Sequence, residues 1–287
     1  MFGFLNIDKP GGVTSRDVVN RVQRLVRPHK VGHAGTLDPL ATGVLVVAVG
    51  PATRLIEYVQ RLPKTYLATF LLGRSSDTED IAGEVVELPG AAVPTETQLR
   101  AALPQFLGTI QQRPPAFSAL KVAGQRAYDL ARRGDAVELL PRPVEIYDLE
   151  ILRYAYPELQ LLIRCGSGTY VRSLGRDLAA SLGTAAVMSA LRRLVIGPFT
   201  AETAIAADSL SASSIEHQLL SPLMALGEMP RIEVNEAASL RLAQGQAIEN
   251  RWNASSAEVA AVNSAGQLVA ILSPLAERLR PQRCFHC

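Results

Sequence analysis

The chain has 287 residues, 48% of them hydrophobic, with 29 lysines and arginines against 27 acids and a formal charge of +2. That is room for one large domain and a small one around a sizeable core, and too little net charge to signal a polyanionic partner without local clustering. The longest apolar run, residues 44–49, is far below the roughly 20 needed to span a bilayer. The first residues lack a basic segment leading into an apolar one, and three cysteines make no disulfide framework, so a soluble cytoplasmic protein is expected.

In chain order, "FGFLNIDKP" reads as a strand closed by Pro10, Gly11 and Gly12. Thr14 or Ser15 can then cap a helix that buries Val18, Val19, Val22, Leu25 and Val26. Its opposite side collects Arg16, Arg21, Arg24, Arg27 and Lys30, and "LRRL" adds Arg192 and Arg193; taken alone, such clusters are solvated helix faces. Residues 44–49 form a strand buried on both sides, and "KTYLATFLLG" (64–73) a strand that ends at glycine. Helices are expected over 96–107 and over 127–133, the second stopped by Gly134. "LQLLIRCGSGTYVRSLGRDLAASLG" reads as strand, glycine turn and helix, with Leu174, Leu178 and Leu182 aligned. Strands and helices mixed without regular βαβ spacing favour an α+β fold. An Ala- and Ser-rich stretch over 201–227 precedes a boundary near Met229, after which short strands at "EVAAVNS" and "QLVAILS" imply a compact β-rich module. The final "CFHC" offers three ligand candidates where zinc takes four, so a frayed, unliganded end is expected.

One acid stands apart. In "VGHAGTLDPLATGVLVVAVG", Asp38 precedes Pro39, which biases it away from helix, and Gly32, Gly35 and Gly43 let the loop bend around it. Such a carboxylate either caps the local backbone or is presented from a loop on a rigid strand. No phosphate loop, zinc-protease or nucleophile-elbow motif accounts for it. A free aspartate titrates near about 3.9, so a general acid at neutral pH would require a shift of about three units. A nucleophile or base requires none, and an arginine beside it would keep it charged.

These residues resemble the TruB-type tRNA pseudouridine synthases. "HAGTLDPLATG" matches that family's signature, and "NIDKPGGVTS", "KTYLATFLLG", "SSDTEDIAGEV", "QRPPAFSALKVAGQRAYDLARRG", "GTYVRSLGRDLAASLG" and "LRRLVIGPF" follow in the family's order. The resemblance implies a mixed, largely antiparallel central sheet flanked by helices, with a catalytic domain over 1–228, an RNA-binding insertion around 112–150, and a small PUA-like RNA-binding domain over 229–287. It implies that Asp38 is the catalytic aspartate, that Tyr66 lies against the target base, and that Arg172 pairs with Asp38 beside Tyr170. His33 would help extract the nucleotide and Leu191 would line the pocket. Lys121, Arg126, Arg132 and Arg133 would belong to the insertion that closes over the RNA. Ser167 stands where relatives often carry a basic residue, which leaves one RNA contact open. The implied reaction converts uridine 55 in the T arm of tRNA to pseudouridine, with no metal or organic cofactor and no guide RNA; the short apolar runs predict no membrane association, and the lack of a coiled-coil seam or long exposed edge predicts a monomer.

Three other readings compete. A guide-RNA-directed relative shares the signature but usually carries lysine-rich extensions. An RNA-folding chaperone would leave the pocket incidental. Metal-dependent phosphoryl transfer would use Asp77, Glu79 and Asp80 of "SSDTED", which more simply form a polar loop.

Overall fold

The computed structural model describes residues 1–117, 121–122, 125–126 and 139–285. The helix expected over 127–133, the side chains of Lys121, Arg126, Arg132 and Arg133, and residues His286 and Cys287 lie outside them. Among the described residues no helix is long and apolar enough to cross a membrane.

The elements that build the main sheet follow from local chemistry. Strand β1 (Gly3–Lys9) leads into α1 (Ser15–Leu25), whose start is fixed by a capping box: the Thr14 hydroxyl accepts from the Asp17 N–H and the Asp17 carboxylate from the Thr14 N–H. Strands β2 (Val31–His33) and β3 (Thr42–Val49) flank the loop that carries Asp38. Helix α2 (Ile56–Arg61) and strand β4 (Lys64–Leu72) follow. Along β4, Lys64, Tyr66, Ala68, Phe70 and Leu72 are buried on one face, the period-2 pattern of a strand covered by helices.

Helix α3 (Glu96–Ala102) is shorter than the sequence suggests. The expected 96–107 segment tightens into a 3₁₀ turn at Leu103–Phe106, because Pro104 has no N–H to continue the α-helical ladder. Strands β5 (Gly108–Gln112), β6 (Arg142–Ala155) and β7 (Glu158–Cys165), helix α4 (Val171–Ser181), and strands β8 (Ala186–Ile196) and β9 (Ile205–Ala206) complete the unit. The strand order is β9-β1-β3-β8-β4-β7-β6-β5. The β9–β1 and β3–β8 pairs are parallel and the remaining pairs in that order antiparallel. This is the mixed, largely antiparallel α+β sheet expected. It also corrects one reading: Arg192 and Arg193 sit in a central strand, not on a helix face, and Arg193 is 2% exposed.

Helix α4 lies against β4, with Leu174 and Leu178 in the core and Leu182 packed at its edge. The close approach depends on Gly175, where an added Cβ would fall 2.0 Å from the Phe70 ring. Helix propensity alone favours alanine over glycine by about 1 kcal/mol, but overpacking of about 1–3 kcal/mol or more opposes it. With the clash outweighing the propensity gain, Gly175→Ala is expected to destabilise the fold by about 2 kcal/mol at the upper end of that overpacking range, read as a lower urea midpoint at unchanged slope.

A second sheet follows Met229: β10 (Arg231–Glu233), β11 (Ile248–Glu249), β12 (Val259–Val262), β13 (Leu268–Leu275) and β14 (Arg278–Cys284), ordered β10-β12-β13-β14-β11, with helix α5 (Glu236–Ala243) against it. It docks on the first unit through the Tyr58 hydroxyl donating to Glu258 at 2.7 Å, an Arg283–Glu57 ion pair, and Arg54 Nη1 donating to the Cys284 carbonyl at 2.6 Å. Phe285, 3% exposed, stacks on Phe2 with ring centroids 5.2 Å apart. The tail is thus anchored at least to Phe285, contrary to the fraying expected from its composition, because an aromatic side chain of that area is driven under cover.

Candidate active site

The loop between β2 and β3 is fastened from below. Ser15 Oγ, buried at the start of α1, accepts from the Leu37 N–H at 2.9 Å and donates to the Leu37 carbonyl at 3.1 Å. The Pro39 carbonyl accepts from the Gly12 N–H at 2.8 Å and from Lys9 Nζ at 3.3 Å. Lys9 is fully buried, and desolvation brings its pKa down to about 8 despite the attraction of Asp38. Arg193 ties the loop to β3, donating through Nε to the Val44 carbonyl at 2.7 Å and through Nη2 to the Gly35 carbonyl at 3.1 Å. At Gly43 (φ +97°) a Cβ would lie 2.2 Å from the Arg193 carbonyl oxygen, so only glycine lets β3 and β8 meet there.

On this mount the Asp38 carboxylate faces Arg172, with Oδ2 3.1 Å from Nη2. The arginine side chain is 7% exposed and that of Asp38 36%, so the acid is the member open to a ligand. The guanidinium also donates to the carbonyls of Thr78 (2.7 Å) and Phe117 (3.1 Å) and lies 3.6 Å from the Asp80 carboxylate. Asp80 is itself held by Thr78 Oγ1 at 2.7 Å and the Ala82 N–H at 3.0 Å. Burial raises the Asp38 pKa above the ordinary carboxylate range; Arg172 opposes the rise and Asp80 adds to it. A nucleophile or base requires no such shift; its cause here is the enclosure of the loop.

Asp38, Tyr66, Tyr170, Arg172 and Leu191 line one cavity of about 720 Å³, a size suited to a nucleotide-sized ligand. Tyr66 enters from β4, where burial raises its hydroxyl pKa. Tyr170 precedes α4, its backbone N–H and carbonyl both bonded to the Gln112 amide at 2.8 and 3.0 Å. His33 is on β2 and does not line the cavity; its pKa is lowered, first by burial and then by Arg16, and Nδ1 is buried without a hydrogen-bond partner among the described residues.

Sequence reasoning gives no place on this wall to Lys64, Thr78, Asp80, Arg142 or Arg193, although it names Asp80 as a candidate cation ligand and Arg193 as part of a basic cluster. Arg142 places its guanidinium 5.0 Å from the Tyr170 ring centre and donates to the Gly168 carbonyl, beside exposed Ser167. Beyond "SSDTED", "RR" and "KTY" carry a signal, as cations among apolar strand residues. The acids of "SSDTED" go elsewhere than the cation reading would have them: Glu79 is bound by Arg176 and by Ser173 Oγ at 3.0 Å, and Asp80 by Arg172. Among the described residues no three His, Cys, Asp or Glu side chains converge.

A family model described as TruB family pseudouridylate synthase (N terminal domain) matches residues 23–171. The tRNA pseudouridine synthase B of Rhodospirillum rubrum is 46% identical over 251 residues, covering 86% of this chain and 81% of that one. Its counterpart from Dehalococcoides mccartyi is 41% identical over 278 residues, covering 96% and 93%. Among solved structures, the crystal structure of a Cbf5-Nop10-Gar1 complex superposes with a TM-score of 0.77 at 25% identity, covering 99% of this chain and 85% of that one.

Proposed function

The chain belongs to the TruB family of pseudouridylate synthases, and from that membership we propose how it isomerises uridine in tRNA to pseudouridine: with the Asp38 carboxylate, on a base turned out of its stack into the cavity beside Tyr66. The observation that carries the reading is the Asp38–Arg172 pair, 3.1 Å apart, in a cavity of about 720 Å³.

The chemistry asks for little more. The N-glycosidic bond breaks, the base turns, and C1′ rejoins the ring at C5, with one proton moved and no net oxidation. An ionised carboxylate can begin this by attack on C1′, by addition to the ring, or by taking a proton from the sugar. The guanidinium beneath it counters the effect of burial and fixes its direction. Turning a base out costs a few kcal/mol, and stacking on Tyr66 offsets about 1–3 kcal/mol of that.

The substrate we assign is uridine 55 of the T arm, read from folded shape and phosphates. Arg16, Arg24, Arg27 and Lys30 are exposed on α1 and the turn after it, the helix whose first residue, Ser15, holds the Asp38 loop, while Arg21 is drawn to Asp208 at 2.6 Å. Residues 1–228 serve as the catalytic domain, with the insertion around 112–150, and 229–287 as a PUA-like RNA-binding domain. The protein works without guide RNA, as its similarity to tRNA pseudouridine synthase B relatives supports, and as a monomer.

The test is direct. A tRNA transcript incubated with this chain alone is expected to gain pseudouridine at position 55 and nowhere else. Modification at other positions, or only after a second RNA is added, overturns the assignment.

A further inference from the structure

Lys64 opens β4 two residues before Tyr66, so both side chains project to the same, cavity-lining face. It is 7% exposed. Its ammonium donates to the Gln60 carbonyl and, at 2.6 Å, to the Leu62 carbonyl, which uses two of its three N–H groups. Across the sheet, Arg193 stands in register with Tyr66 and also lines the cavity. Among the described residues neither cation is paired with a carboxylate, since both acids of the cavity wall are drawn to Arg172. Buried positive charge without a counter-ion costs several kcal/mol. It is retained where negative charge will arrive, because fixed charges in a water-poor site stabilise a developing anion without reorganising.

We propose that Lys64 is a further catalytic residue of this reaction, its ammonium facing the uracil ring and stabilising the negative charge that collects there as the base is detached. The inference rests on the assignment of Asp38 and this cavity to uridine isomerisation.

All three routes open to Asp38 load the ring in the same way. If the carboxylate bonds to C1′, the C1′–N1 electron pair departs with the base. If it takes the C2′ proton, the same pair departs. If it adds to ring carbon C6, a π pair moves onto O4. Each leaves one negative charge on the uracil, discharged when C5 bonds to C1′: the carboxylate then leaves C1′, or returns its proton to C2′, or, once C1′–N1 has broken, leaves C6, and the C5 proton departs while N1 is protonated. Lys64 gains and loses nothing. Burial first and Arg193 second lower its pKa to about 8, with Cys165 opposing, which leaves the amine mostly protonated at neutral pH.

The test compares uridine and 5-fluorouridine at the target position of one RNA, in single-turnover cleavage of the C1′–N1 bond. Fluorine withdraws electrons and makes the uracil anion stable in its own right. Lys64→Met is expected to lower the rate on uridine by about 100-fold with RNA Kd changed less than about threefold, and by less than about tenfold on 5-fluorouridine. An equal loss on both RNAs, an unchanged rate, or a loss confined to Kd overturns the proposal. Should Lys64→Met not fold, Lys64→Gln keeps N–H donors for the two carbonyls and makes the same comparison. Asp38→Asn run alongside separates the levels: if it still turns over uridine, the site assignment has failed; if it is inactive while Lys64→Met loses equally on both RNAs, only the role of Lys64 has.

Discussion

Asp38→Asn is expected to lower the isomerisation rate by at least about 10⁴-fold while leaving RNA affinity within about threefold. The amide occupies the same volume and still offers an oxygen to Arg172, 3.1 Å away, and Asp80 remains as a counter-ion for that guanidinium. What disappears is the more exposed of the two carboxylates that line the cavity among the described residues. The loop is held through the Leu37 and Pro39 backbones, not through the Asp38 side chain, so its course survives the substitution. Conversion in a T-arm transcript, measured with filter binding of the same RNA, checks both halves. Turnover that persists would transfer the chemistry to another group; lost binding would make Asp38 a structural acid.

Arg172→Met is expected to have the second largest effect, and its signature is in pH. The guanidinium attracts the Asp38 carboxylate and so opposes the rise in pKa that burial causes. Without it the pKa of Asp38 climbs further, so the fall in kcat on the acid side moves to higher pH. The variant also strands the carboxylate of Asp80, whose side chain is 5% exposed. Removing one partner of a buried ion pair costs about 3–5 kcal/mol. Arg172→Lys should recover part of the pH profile and little of the stability, because one ammonium cannot reach the Thr78 and Phe117 carbonyls and both acids together. A kcat–pH profile with urea unfolding measures both; an acid limb that stays in place would refute the electrostatic role.

Legibility in the sequence tracked local rules. The capping box at Thr14, the period-2 burial of β4 and the strand-turn-helix around Gly168 are written in neighbouring residues. Strand β6, of 14 residues, and strand β8, of 11, were not. Irregularities near Ile146, Ile151, Met188 and Arg193 shift their register and break the alternation by which strands are read. The site divides likewise. The family signature pointed to Asp38, Tyr66, Arg172 and Leu191, all of which line the cavity. Arg193 looked like surface charge because nothing local says that Val44 and Gly35 will present carbonyls to it across 149 and 158 residues of chain.

The strand order carries a cost in time. During synthesis β1 emerges first, yet one of its edges is covered by β9 at Ile205–Ala206 and its Phe4 backbone pairs with Leu220. β3, its other neighbour, is flanked in turn by β8 and must wait for Arg192 and Arg193. Until some two hundred residues have left the ribosome, the nascent segment around Asp38 has an open, apolar border. Such long-range closure is slow and exposes sticky edges, so a chain stalled before β8 would be expected to associate with its neighbours or with chaperones sooner than to fold.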